Sequence, residues 1–193
     1  MNQKDNMKEN LIEEVLAYWK HYCYVCDLIA VKNHLSLILN DKSKINPAPN
    51  FTNIVFSGMI ESINISLSRL YDCDMQAKTV QSLLAKCKNN AHLFADKTGV
   101  EKKFGDFINL LRTDENISYA IRLLGTRRDK LFAHNDKSLF VHPERDTTYL
   151  PNLSLWLLID TLRDILQYVF DALAIQKPYE PCYDKDLENL LIK

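Results

Sequence analysis

The amino-acid sequence predicts an all-α protein, a bundle of four to six helices. Three observations carry this reading. Glycine, which β-rich folds use at their turns, occurs only 4 times in 193 residues. The 6 prolines stand at 47, 49, 143, 151, 178 and 181, which leaves two long stretches without a helix breaker. Within those stretches apolar residues recur every three or four positions, the period of a helix with one buried face.

From Leu11 the apolar positions run Leu11, Val15, Tyr18, Tyr22, Val25 and Ile29, and the helix they imply extends to about Leu39. The segment NDKSKINPAPN interrupts it. A second helix is expected after Asn50 or Thr52, either of which can cap it, with a stripe of Phe56, Met59 or Ile60, Ile63, Leu67 and Leu70. Past Asp72 a polar gap leads to a shorter helix from about Thr79 to Phe94. Gly99 and the VEKK run open another amphipathic piece through Phe104, Phe107, Ile108 and Leu111.

Thr113 or Asp114 then offers an N-cap, and Asp114 and Glu115 complement the helix dipole. The helix that follows carries Ile117, Tyr119, Ala120, Leu123, Leu124, Leu131 and Phe132, and is expected to end between His134 and Asp136. A polar loop through Pro143, Glu144 and Arg145 comes next. The last long helix starts near Pro151, whose fixed φ suits a first-turn position. It runs through Leu155, Leu158, Ile159, Leu162, Ile165, Leu166, Val169 and Leu173, with Pro178 and Pro181 as its stop. No repeat or composition step divides the chain. A single domain over 1–193 is expected, with its core at about 10–176 and a polar tail at 177–193.

Hydrophobic residues make up 47% of the chain, which supports a packed globule rather than a disordered one. The formal net charge of −1 excludes a chain-wide basic surface, so any nucleic-acid binding must rest on a local patch. The polar N-terminus lacks the apolar run of a secretory signal, and no window reaches eighteen apolar residues. The 5 cysteines, odd in number, fit reduced thiols. A cytoplasmic protein with no membrane association is expected.

One segment carries chemistry. Residues 125–136 read GTRRDKLFAHND, which brings Arg128, Asp129 and His134 close together at a helix end. An arginine holds a phosphate bidentately and keeps its charge at any working pH. A histidine titrates near pH ~6.5 and so exchanges a proton at neutral pH. An acidic neighbour orients or tunes either group. On an ideal helix Arg128 and His134, six apart, lie roughly 120° off one face, whereas Arg127 is seven from His134 and nearly in line. Spacing alone does not decide which arginine faces the histidine. Around the segment, Arg122, Arg127, Arg128, Lys130, Lys137 and Arg145 outnumber Asp129, Asp136 and Glu144, which is consistent with a polyanionic substrate.

Arg128-Asp129-Lys130-Leu131-Phe132-Ala133-His134 resembles the R-(N/D/H)-x-x-x-x-H motif of HEPN proteins, helical domains of prokaryotic defence and toxin–antitoxin systems. Over roughly residues 10 to 176 the chain is also similar to the U-type abortive-infection branch, through Ser68-Arg69-Leu70-Tyr71-Asp72, through Ala133-His134-Asn135-Asp136, and through the order of its helices. The resemblance implies a metal-independent endoribonuclease without a cofactor, working as a homodimer with a composite site. The ribose 2′-OH attacks the adjacent phosphate and leaves a 2′,3′-cyclic phosphate. On that model His134 is general base or acid, Arg128 neutralises the phosphate, and Asp129 orients one of them. Arg127, Lys130, Asn135 and Lys137 bind RNA, while Arg69 and Asp72 support the motif helix. An antitoxin or regulatory protein is a further possible partner. The alternative is a non-catalytic HEPN module that binds RNA, a nucleotide or a partner protein.

Plainer roles compete with these. A histidine at a helix C-terminus complements the dipole, and Arg128 with Asp129 is an ordinary surface pair. Cys23-x-x-Cys26 is a lone pair inside a helix and reads as core rather than zinc ligands. His21 and His34 read as surface or interhelical packing, His92 and His142 as loop residues. Tyr18, Trp19, Tyr22 and Tyr24 read as core or interface, with base stacking as the rarer use.

Overall fold

In a computed structural model, the structure describes residues 3–40, 48–74, 76–133 and 150–178, and all regular structure among them is helical. The first helix, α1, spans Gln3–Asn40. It starts eight residues before its apolar stripe. That polar first stretch holds good helix formers such as Lys4, Lys8 and Glu9, and Asp5 complements the dipole in the first turn. Helix α2 spans Pro49–Leu70. Neither Asn50 nor Thr52 is its cap: Pro49 occupies the first turn, where its missing N–H costs nothing, and Ala48 precedes it without a side-chain cap. Thr52 instead donates its hydroxyl to the Ala48 carbonyl at 2.9 Å.

Helix α3, Val80–Asn89, begins with a reciprocal cap: the Ser82 N–H donates to Thr79 Oγ1 at 3.2 Å and the Thr79 N–H to Ser82 Oγ at 2.9 Å. It is shorter than its sequence pattern suggests, and a single 3₁₀ turn over Ala91–Leu93, with His92 exposed, carries the chain onward. Helix α4, Lys97–Thr113, is correspondingly longer, because Asp96 caps it through Gly99 N at 3.0 Å. A Cβ on Gly99 would stand 2.1 Å from Asp96 Oδ2, so the cap depends on the glycine. Helix α5, Glu115–Arg127, is capped by Asp114, which accepts from Asn116 N at 3.0 Å and Ile117 N at 2.9 Å. Of the two candidate caps, Asp114 is therefore the cap, and Thr113 is the last residue of α4.

Past Arg127 the helix widens into a π-helical turn over Arg128–Ala133. Residues 134–149 lie outside the described residues. So do the loop through Pro143, the 179–193 tail, and the side chains of Leu131 and Phe132. Helix α6 spans Asn152–Leu173 with Pro151 just before it. It ends four residues short of Pro178, because Ala174 takes a left-handed conformation (φ 53°). The Ala174 and Ile175 N–H groups then satisfy the carbonyls of Asp171 and Phe170, each at 3.1 Å.

Helix α1 packs on α2 and α6, while α5 packs on α2, α4 and α6, and α3 lies on α4. The apolar faces meet in one core cluster. Every α6 stripe residue from Leu155 to Leu173 is buried there, at roughly 1.5–3 kcal/mol of transfer energy for each large side chain. Trp19 is sealed in by Tyr22 and, edge-on, by Phe170 at ring distances of 5.0 and 5.5 Å, and Lys177 covers its outer side. Tyr18 donates its hydroxyl to the Thr79 carbonyl at 2.8 Å, which ties α1 to the start of α3, and burial pushes its phenol up to about 12.

The outer halves of α1 and α2 differ from this. No described side chain between residues 30 and 62 is fully buried, and Leu37, Phe51 and Ile54 are 71%, 67% and 71% exposed. Phe56, Met59 and Ile60 of the α2 stripe are likewise only half-buried. No helix among the described residues is long and apolar enough to cross a membrane.

Candidate functional site

The C-terminal ends of α2 and α5 come together, and the chemistry-bearing residues gather there. The inner end of α2 is anchored by its apolar residues. Leu67 and Leu70 are buried, and Tyr71 is buried with its hydroxyl donated to the Leu158 carbonyl of α6. Burial pushes the Tyr71 phenol well above its ordinary range, so it stays a neutral donor. Asp72, the next residue, therefore leaves the helix from a fixed point.

Each oxygen of Asp72 has a task. Oδ1 accepts from the Asp74 N–H at 3.2 Å, shaping the turn. Oδ2 accepts from Nη1 of Arg128, 56 residues away in sequence. On its other edge Arg128 donates Nε–H to Asp129 Oδ1 at 2.9 Å. The guanidinium is thus held between two carboxylates at the first residue of the π turn. The Asp129 hydrogen bond, with Asp72 behind it, holds Arg128 above its ordinary range, and it is a cation throughout the working range.

Two of the five guanidinium N–H donors are engaged in this way. The side chain is 33% exposed, so part of it is open to solvent. The C-terminus of α2 meets the junction of α5 with the π turn here; Arg69 in the last turn of α2 offsets the partial negative charge of that helix end, and Arg127 stands at the junction.

Several expected site residues are placed by this geometry. Arg128, Asp129 and Asp72 form one cluster. Arg127 is half-buried beside it, and Lys130 is exposed on the π turn. Arg69 takes no part in the bracket: it is exposed and lines a groove on the α1 side of Asp72. His134, Asn135 and Lys137 lie outside the described residues. The π turn also removes the premise of the ideal-helix phase argument, because i→i+5 bonding changes the angle per residue across Arg128–Ala133. Such widened turns are frequent at functional sites.

The groove holds about 1100 Å³ between α1, α2 and the segment that leads into α3. His21, read from sequence as surface or interhelical packing, and Tyr24, read as core or interface, line it and are exposed, whereas Tyr18, Trp19 and Tyr22 are core. Glu14 lines it as well. Lys86 and Lys78 bond its carboxylate and hold it below the ordinary range against the opposing effect of burial. Lys20 and Lys78 were not singled out from sequence, and isolated surface lysines carry no pattern that would have marked them. Cys23 is buried in the core, and no group of three or more His, Cys, Asp or Glu side chains able to hold a metal occurs among the described residues.

Comparison with known proteins adds one finding. The family model HEPN_AbiU2, described as AbiU2, matches residues 6–188. No curated protein and no solved structure matches the chain.

Proposed function

From the premise that this chain belongs to the AbiU2 family of HEPN proteins, and so is a HEPN module of the abortive-infection kind, we propose that it is a metal-independent endoribonuclease of prokaryotic antiviral defence or of a toxin–antitoxin pair, acting in the cytoplasm. The observation that carries the reading is the bracketed arginine. Arg128 is permanently charged, held on two edges by Asp72 and Asp129, and one-third exposed. A transition-state phosphate needs such a fixed cation.

In this reaction His134 takes the proton of a ribose 2′-OH, the oxygen attacks the adjacent phosphorus, and the bond to the 5′-oxygen breaks. The products are a 2′,3′-cyclic phosphate and a 5′-hydroxyl that receives a proton. Arg128 neutralises the charge that builds on the phosphoryl oxygens, Asp129 and Asp72 set its orientation, and Arg127, Lys130, Asn135 and Lys137 hold the flanking strand. A placed histidine is worth about 10²–10⁴ in rate. Two protomers supply the two motifs of one cleft.

The test is incubation of wild type, His134→Ala and Arg128→Ala with mixed cellular RNA in EDTA, followed by end-group analysis. Cleavage by wild type alone, with cyclic phosphate ends, is the expected result. Equal cleavage by His134→Ala overturns the assignment.

One observation favours the second reading, a non-catalytic module that binds RNA, a nucleotide or a partner protein. Arg128, Asp72 and Asp129 together carry one net negative charge, which weakens the pull on a free phosphate. RNA binding that falls steeply with salt, without cleavage by any of the three proteins, is the result that selects this reading.

A further inference from the structure

We propose that the groove between α1 and α2 is the binding channel for a single-stranded RNA segment that leads to Arg128. The proposal rests on the ribonuclease reading for its substrate class and adds where the strand lies. Its first support is continuity. Asp72 is at once a wall of the groove and the carboxylate that holds Arg128, so a strand in the groove passes within one side chain of the guanidinium.

The second support is charge. Lys20, Arg69 and Lys78 line the groove with Glu13, Glu14 and Asp72. Two of those carboxylates are already taken by cations that stand just behind the wall, Glu14 by Lys86 and Asp72 by Arg128. With these and Asp129, the second partner of Arg128, included, five cations stand against four carboxylates, a local excess of one positive charge in a chain of net charge −1. A phosphodiester backbone is complementary to that excess.

The third support is shape and chemistry. At about 1100 Å³ the groove stands at the upper end of the roughly 300–1,000 Å³ range of ligand sites, which leaves room for a short segment of chain. Tyr24 is 49% exposed, although the other three aromatic residues of its run are in the core. It stands ten residues along α1 from Glu14, roughly 15 Å. An exposed ring at one end and an arginine at the other are the parts that single-stranded RNA uses, stacking for a base and cations for the phosphates. Ser62 and Ser66 on the α2 wall add hydroxyls for base edges or 2′-OH groups.

The experiment has two arms on the full-length protein. In the first, a 2′-O-methylated single-stranded oligoribonucleotide carrying 4-thiouridine is bound, irradiated, and the crosslinked peptides are identified. In the second, cleavage of unmodified RNA is measured for wild type, Tyr24→Ala and Arg69→Ala, both exposed positions whose folding is checked by circular dichroism. Crosslinks to peptides around Tyr24 and Arg69, with KM raised about 10-fold by Tyr24→Ala and kcat within twofold, are expected from the loss of one stacked base. Crosslinks confined to other helices, or KM unchanged in both variants, overturn the channel while leaving the ribonuclease reading intact. Crosslinks in the groove without cleavage by wild type keep the channel and overturn the ribonuclease reading. Absence of RNA binding overturns both.

Discussion

Substituting Asp72 separates its two tasks. Asp72→Asn keeps an oxygen for the Asp74 N–H and removes the charge that faces Arg128; Asp72→Ala removes both. The pair is partly exposed, 33% for Arg128 and 28% for Asp72, so it belongs near the top of the range for surface ion pairs rather than among buried ones. Such pairs are worth about 0.2–1 kcal/mol. Asp72→Asn is therefore expected to cost about 0.5–1 kcal/mol. Asp72→Ala adds a few tenths, because a 3.2 Å bond in a solvated turn is weak.

Arg128→Ala costs a similar amount, and the double variant Asp72→Asn/Arg128→Ala recovers about 0.5–1 kcal/mol of the summed loss. In a chain of 193 residues 1 kcal/mol corresponds to about 2–4 °C in Tm. Urea denaturation followed by circular dichroism reads these differences as midpoints at constant slope. The coupling is expected to shrink in 1 M salt. Single and double variants that add within about 0.3 kcal/mol would refute the claim that the end of α2 holds the arginine. Cleavage by Asp72→Asn equal to wild type, in a protein that does show coupling, would confine the pair to structure.

Three further outcomes follow from the fold. Tyr71→Phe is isosteric and leaves the Leu158 carbonyl in its helix, so it is expected to cost only about 1 kcal/mol in urea denaturation; a loss above 3 kcal/mol would mean that more than one hydrogen bond was broken. Ala174→Gly relieves a left-handed alanine and is expected to stabilise by about 0.5–1 kcal/mol in thermal denaturation, with a loss of stability as the contrary result. The Glu14 carboxyl is held below its ordinary value of 4.5, so its contribution is complete above that pH and is lost as pH falls through the folded-state value. Wild type is then more stable than Glu14→Gln at pH 7, and the difference narrows below about pH 4.5; a pH-independent difference would show that the lysine pair does not set it.

Much of the bundle was legible because burial and period coincide. Along α6 all eight stripe residues are buried, since this helix packs on α1 and α5 over its length. Where packing does not follow the stripe, the pattern misleads. Tyr119 keeps the apolar spacing of α5 but is 50% exposed, and the outer stripe of α2 is only half-buried among the described residues. Helix ends were less legible, because Ala174 ends α6 by its backbone conformation and carries no sequence signal. Within the candidate site, Arg128, Asp129 and Asp72 were visible as residue types with a purpose. Their mutual geometry was not, since the π turn is a change in backbone register that no side chain announces. Arg69 and Asp72 looked alike from sequence; three residues apart at a helix end, they face different neighbours, and only Asp72 meets Arg128.

The seal around Trp19 has an optical consequence. The chain has 2 tryptophans, and the fold puts them in opposite surroundings: Trp19 is 2% exposed, whereas Trp156 is 44% exposed at the start of α6. Their emission is therefore separable by colour and by collisional quenching. A Trp156→Phe protein leaves one emitter whose spectrum reports whether α1 and α6 remain packed at Phe170. A Trp19→Phe protein leaves one that reports on whatever approaches the surface near Trp156. The molecule carries its own two-channel fluorimeter, one channel for integrity and one for encounter.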